Sequence, residues 1–312
     1  NAATANTSTT FSVDTTAPTL ALTVGAAGAL VNSSEDTEGT VVSVASNGAW
    51  SVTLTGQSGS VVKTGTSTDT SITLTSLEVT TLGQGAVTVS GVATDAAGNS
   101  TTVAGVNLFS IDTVAPLASI VIDSVTTDNV VNIAEGDSAS IAITGTVSGD
   151  VAVGDTVTVT VNGSNFTGTV AQSGNSKVFS INVSGANLEA DTDLTVDASV
   201  TTTDAAGNST TATATKAYTL DQSAPTITAV TADWGSVLNG TEDNSNGVVQ
   251  VTTTGAEDGQ TVSLLLNGQT YTGVVSGNNA SISIPASELQ GLTDGTTYTL
   301  TANVSDAAGN AA

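Results

Sequence analysis

Residues 156–161 read Thr156-Val157-Thr158-Val159-Thr160-Val161, and Asn162-Gly163 follows at once. Alternation with a period of two puts the valines on one face of a strand and the threonines on the other. Asn-Gly is the strongest short signal for a tight hairpin turn. The same alternation runs through Leu194, Val196, Ala198 and Val200, and through Tyr298, Leu300, Ala302 and Val304. Turn signals such as Asn267-Gly268 and Gly277-Asn278 separate such runs. No long window carries the 3.6-residue period of an amphipathic helix. The expectation is an all-β chain of short antiparallel strands stacked as sandwiches.

Composition agrees and narrows the chemistry. The 312 residues hold 28 Asp and Glu against three cations, Lys63, Lys177 and Lys216, for a net charge of −25. Arg, His, Cys and Met are absent. A nucleic-acid binder needs cations to displace phosphate counterions, so that class is excluded. A serine or cysteine triad needs a His base. Zinc, haem, copper and iron–sulfur sites draw on His, Cys or Met. The chemistry left to a carboxylate-rich chain is a hard cation held by oxygen, chiefly Ca²⁺. No apolar run approaches the roughly 18–20 residues of a membrane helix. Only 10% of residues are charged and Pro numbers four, which argues against disorder.

Three motifs recur in one order. Asp-x-x-Ala-Pro occurs at Asp14–Pro18, Asp112–Pro116 and Asp221–Pro225. Asp-Ala-Ala-Gly-Asn occurs at Asp95–Asn99, Asp204–Asn208 and Asp306–Asn310. An Asn-led acidic loop lies between them: Asn32-Ser-Ser-Glu35-Asp36, Asn132-Ile-Ala-Glu135-Gly-Asp137 and Asn239-Gly-Thr-Glu242-Asp243. A period of about 100 residues is too long for a solenoid of 20–50 residues and suits complete small domains. The expected division is 14–111, 112–220 and 221–312. Residues 1–13 read as the last strand of a preceding repeat or as a donor strand. The third domain reads as lacking its own last strand, which would leave a sheet edge open to strand donation from another copy.

These residues resemble the bacterial Ig-like extender repeats of giant, type I-secreted RTX adhesins. There each domain opens with Asp-x-x-Ala-Pro and closes with two strands joined by Asp-x-x-Gly-Asn. The resemblance covers essentially the whole chain. It implies Ig-like sandwiches arranged end to end, junctions that bind Ca²⁺, and an extracellular place on a Gram-negative bacterium. Domain one departs from the pattern: between Asn47 and Thr75 it lacks an acidic cluster like Asp150/Asp155 or Glu257/Asp258. The Gly-Gly-x-Gly-x-Asp nonapeptide is absent.

The topology of a seven-stranded sandwich sorts the acids by pole. Glu35 and Asp36, the linker Asp112, and Asp150 and Asp204 are expected to converge on the first junction. Glu135, Asp137, Asp221, Asp258 and Asp306 are expected at the second. Asp14 and Asp95 would form a partial leading site, and Glu242 and Asp243 would serve a following domain. Ca²⁺ takes 6–8 oxygens, and acids grouped without a cation repel one another. Pro116 and Pro225 stiffen the chain just after each linker Asp. A single Asp at a turn is explained by local capping, and Asp-Ala-Ala-Gly-Asn needs no more than that.

The run Glu189-Ala-Asp191-Thr-Asp193 lacks the Gly and Glu of an EF-hand loop and reads as a loop. Paired carboxylates for glycoside hydrolysis would want an aromatic-lined cleft, and nine aromatics over three domains leave little for one. The expected function is a non-enzymatic extender stiffened by Ca²⁺, with neighbouring repeats as partners and no membrane insertion. Two alternatives are a self-assembling fibre subunit joined by residues 1–13 and a glycan- or ice-binding module.

Overall fold

A computed structural model describes residues 8–34 and 39–312. It is built of β-strands, with only short helices between them. The valines of Thr156–Val161 are buried while its threonines are not, as the alternation requires. Apolar faces of this kind collect into three separate hydrophobic cores. The first runs from Leu22 to Ile111, the second from Ile120 to Tyr218 and the third from Val249 to Val304.

The chain divides into two compact units. One is Asn1–Leu117 with Thr202–Thr210, and the other is Ala118–Thr201 with Thr211–Ala312. In the first unit a three-stranded sheet (Leu20–Val24, Thr40–Ser46, Ser71–Thr73) faces a five-stranded one. The latter orders Leu30–Val31, Ser100–Ile111, Gly85–Thr94, Ala49–Thr55 and Ser60–Gly65. Trp50 sits in this core at 5% exposure, and its indole N–H donates to the carbonyls of Thr66 and Asp69. Around the second core, one sheet orders Ala171–Ser173, Ser176–Val183, Ile141–Gly149 and Ala118–Ile122. The other orders Ser164–Thr169, Thr156–Val161, Thr195–Thr203 and Ser209–Ala217. Around the third core, six strands form a continuous order: Thr226–Ala232, Gly247–Thr254, Asn279–Ile284, Gln269–Ser276, Thr261–Leu266 and Thr301–Asn303. Gln269–Ser276 pairs with Thr261–Leu266 along its length and with Asn279–Ile284 at its end, so it joins the two halves.

The structure differs from the sequence reading in five places. Leu30–Val31 pairs parallel with Ser110–Ile111, and Val130–Asn132 pairs parallel with Thr219–Asp221. Such two- and three-residue strands are too short to show a period. Glu189 belongs to a helix, Gly185–Ala190, rather than a loop, and its N-cap Ser184 accepts from the Asn187 amide. Leu194 precedes its strand and holds a φ of 53°. The alternation from Tyr298 to Val304 forms strand only at Thr301–Asn303, which pairs on one side alone among the described residues.

Candidate junction site

The Asp-Ala-Ala-Gly-Asn turns are built alike. In the second of them, the Asp204 amide donates to the Asn208 carbonyl, and Gly207 N–H donates to the Asp204 carbonyl. Gly207 has a φ of 96°, which a side chain rarely adopts. Asp204 Oδ1 accepts from the amides of Ala206 and Asn208, each at 2.9 Å, and its Oδ2 accepts from Asn208 Nδ2 at 2.9 Å. Asp95 and Asp204 both lie below the usual carboxylate range. The side-chain donors Asn99 and Asn208 are the main cause, followed by backbone N–H groups that favour the charged form.

The asparagine that closes each turn does more than close it. Asn208 Nδ2 donates to the carbonyl of the linker residue Asp112 at 2.8 Å, and Asn208 Oδ1 accepts from the Ser33 amide at 3.0 Å. Asn32 Nδ2 answers by donating to the Ala206 carbonyl at 2.8 Å. All of these residues belong to the first compact unit. The second unit repeats the set. Asn310 Nδ2 donates to the Asp221 carbonyl at 3.0 Å, Asn310 Oδ1 accepts from the Ile133 amide at 2.8 Å, and Asn132 Nδ2 donates to the Ala308 carbonyl at 2.8 Å. Asn208 and Asn310 are each 3% exposed.

Two of the acidic loops form capping boxes. Asn132 Oδ1 accepts from the Glu135 amide and Glu135 Oε2 accepts from the Asn132 amide, opening the helix Ile133–Gly136. Glu242 Oε2 accepts from the Asn239 amide in the same way. Asp137 is the C-cap of Ile133–Gly136. In each linker the Asp side chain folds onto the residue two along: Asp14 accepts from Thr16, Asp112 from Val114 and Asp221 from Ser223.

The remaining expected ligands are placed as follows. Asp306 is buried and accepts from Asn310 N and Nδ2. Asp258 is exposed and accepts from the Gly277 amide, whereas its neighbour Glu257 accepts from the Ala307 amide in the hairpin turn. Asp150 is exposed. Glu35 and Asp36 lie outside the described residues. Among the described residues no three acidic side chains are gathered into a metal-binding group. The donor chemistry itself fits a hard cation. A carboxylate offers about four lone-pair directions, and each linker Asp spends one of them in its turn.

Sequence reasoning assigned the aspartates a role and gave none to Asn32, Asn132, Asn208 and Asn310, which it quoted only as motif residues; Glu257 it named in an acidic cluster but not among the ligands. The available signal was the recurrence of Asn at both ends: it closes all three turns and opens all three acidic loops.

Tandem Ig-like sandwiches joined by Asp-x-x-Ala-Pro linkers define the class. The chain is 30% identical to a solved structure from a 1.5-MDa bacterial ice-binding adhesin, concerned with host cell surface retention. That match covers 95% of this chain and 94% of the other, with a TM-score of 0.60. A Ca²⁺-stabilised adhesin that helps an Antarctic bacterium reach out and bind ice is 29% identical. It covers 96% of this chain and 72% of that one at a TM-score of 0.61. A bacterial immunoglobulin-like domain from the M. primoryensis ice-binding adhesin is 37% identical over 34% of this chain and 100% of that one, at a TM-score of 0.32. No protein-family model matches, and neither does any curated protein. The chain belongs to the bacterial Ig-like extender repeats of large RTX-type adhesins.

Proposed function

We propose that the chain is a calcium-rigidified stalk segment of a large extracellular adhesin, non-enzymatic, which holds a ligand-binding region away from the bacterial surface. Its repeats are 14–111, 112–220 and 221–312, and its immediate partners are neighbouring repeats. The carrying observation is the recurrence at two places of one linker-and-turn arrangement lined by carboxylates. Asp112, Asp150 and Asp204 with Glu35 and Asp36 would hold one cation. Asp221, Asp306, Glu135, Asp137 and Asp258 would hold another, joined by Glu257. Asp14 with Asp95, and Glu242 with Asp243, would serve the flanking junctions. A bound cation would neutralise the local repulsion and fix the linker just before Pro116 or Pro225. Calcium titration calorimetry on the chain and on the double variant Asp112→Asn, Asp221→Asn tests this. The variant is expected to lose sites; unchanged stoichiometry would reject the assignment.

One observation favours a second reading, self-assembly by strand donation. Phe11 and Val13 are 87% and 76% exposed, while Phe109 and Ile111, at the matching places before the next linker, are 3% and 1%. Thr301–Asn303 meanwhile pairs on one side only among the described residues. Donation predicts concentration-dependent association that Phe11→Ser abolishes. A chain that sediments as a monomer at high concentration would exclude it.

A further inference from the structure

We infer that Asn208 and Asn310, which close the second and third Asp-Ala-Ala-Gly-Asn turns, are positioning residues that dock one repeat on the next by hydrogen bonds. This role is separate from any cation, and it rests on reading the junctions as the working parts of a stalk.

A primary amide carries two donor hydrogens and an acceptor oxygen on one rigid plane. Asn208 divides its donors between the carboxylate of its own turn and the Asp112 carbonyl, at 2.9 and 2.8 Å, and turns its oxygen to the Ser33 amide. It thereby ties together a hairpin tip, a linker and a pole loop that lie far apart in sequence. Asn310 makes the same three kinds of bond to Asp306, Asp221 and Ile133. An aspartate there would offer no donor, and a serine could not span the three partners. The returning amides of Asn32 and Asn132 close each clamp on the carbonyls of Ala206 and Ala308. Asn132 can do so because only its oxygen is spent on its own capping box. Glycine at the fourth turn position keeps the approach open: a Cβ on Gly207 would stand 3.0 Å from Asn32 Nδ2, and one on Gly309 would stand 3.4 Å from Asn132 Nδ2.

The first turn, Asp95–Asn99, supplies the control. Asn99 makes the same bonds to Asp95 and to the linker carbonyl of Asp14, yet among the described residues no N–H meets its oxygen. It is only partly buried. The motif alone therefore makes the turn, and burial comes with the pole loop.

Amide hydrogen exchange, resolved at Ser33 and Ile133, tests the clamp on the full chain in EDTA and in calcium. Both amides should be protected in both conditions. Asn208→Ala, which removes the acceptor of the Ser33 amide, should speed exchange at Ser33 about tenfold, the scale of one hydrogen bond, and leave Ile133 as it was. Asn310→Ala should do the reverse, and Asn99→Ala should move neither. Should the Ala variants unfold their repeat, Asn208→Ser and Asn310→Ser carry the same expectation. Unchanged exchange at Ser33 in the Asn208 variants would overturn the inference. So would Ser33 and Ile133 amides that exchange at the unstructured rate in EDTA. Failure of the calcium reading would instead appear as absent calcium binding with these protections intact.

Discussion

The turns at 95–99 and 204–208 share the sequence Asp-Ala-Ala-Gly-Asn and the same internal hydrogen bonds, yet their asparagines meet different surroundings. Asn208 is buried and receives the Ser33 amide, while Asn99 stays partly open. Local sequence makes the turn, and a pole loop more than 170 residues away in sequence turns it into a junction. The turn at 306–310 goes further still, because its Asp306 is only 4% exposed.

The largest break in this comparison comes from removing the turn carboxylate. Asp306→Ala strands the buried N–H and Nδ2 of Asn310 and is expected to cost about 2–4 kcal/mol in denaturant unfolding of its repeat. Asp95→Ala leaves its donors open to water and should cost clearly less. Equal losses would mean that burial at the filled turn carries no weight. A smaller effect separates the glycines. Gly98→Ala and Gly207→Ala both place a side chain at positive φ, at about 1–2 kcal/mol each. Nothing lies within 4 Å of a Cβ at Gly98, whereas one at Gly207 meets the Asn32 amide at 3.0 Å. Gly207→Ala should therefore be the worse of the pair by thermal unfolding and should also loosen Ser33.

The smallest effect is in pH. Asp95 and Asp204 are depressed by the same donors. A depressed folded-state pKa gives stability that is present above the unfolded value near 3.9 and lost as pH falls through the folded value. Both turns should therefore hold at pH 5 and soften only below about pH 4. Carboxyl-carbon NMR titrations that show either Asp protonating between pH 5 and 6 would contradict the hydrogen-bond account.

The β architecture was legible because Thr156–Val161 states its period in six residues, and the repeat was legible because three motifs recur in one order. The helix Gly185–Ala190 was not, since six residues are too few for a 3.6-residue period to register. The parallel pairs at Leu30–Val31 and Val130–Asn132 escaped for the same reason. That these aspartates would cap their own turns was legible on local grounds, apart from the cation-binding role expected of them. The asparagines could not be weighed, because their partners Ser33, Asp112, Ile133 and Asp221 become neighbours only after folding. Glu257 and Asp258 show the finest limit. They are adjacent acids, and only the path of the backbone sends one to the hairpin turn and the other to Gly277.

We propose that cations at the junctions stiffen a chain of repeats already docked by asparagine. Small-angle X-ray scattering in EDTA and in millimolar calcium decides it. A larger maximum dimension and a narrower distribution of shapes are expected in calcium. Profiles that superimpose in the two conditions would sink the calcium-stiffened stalk.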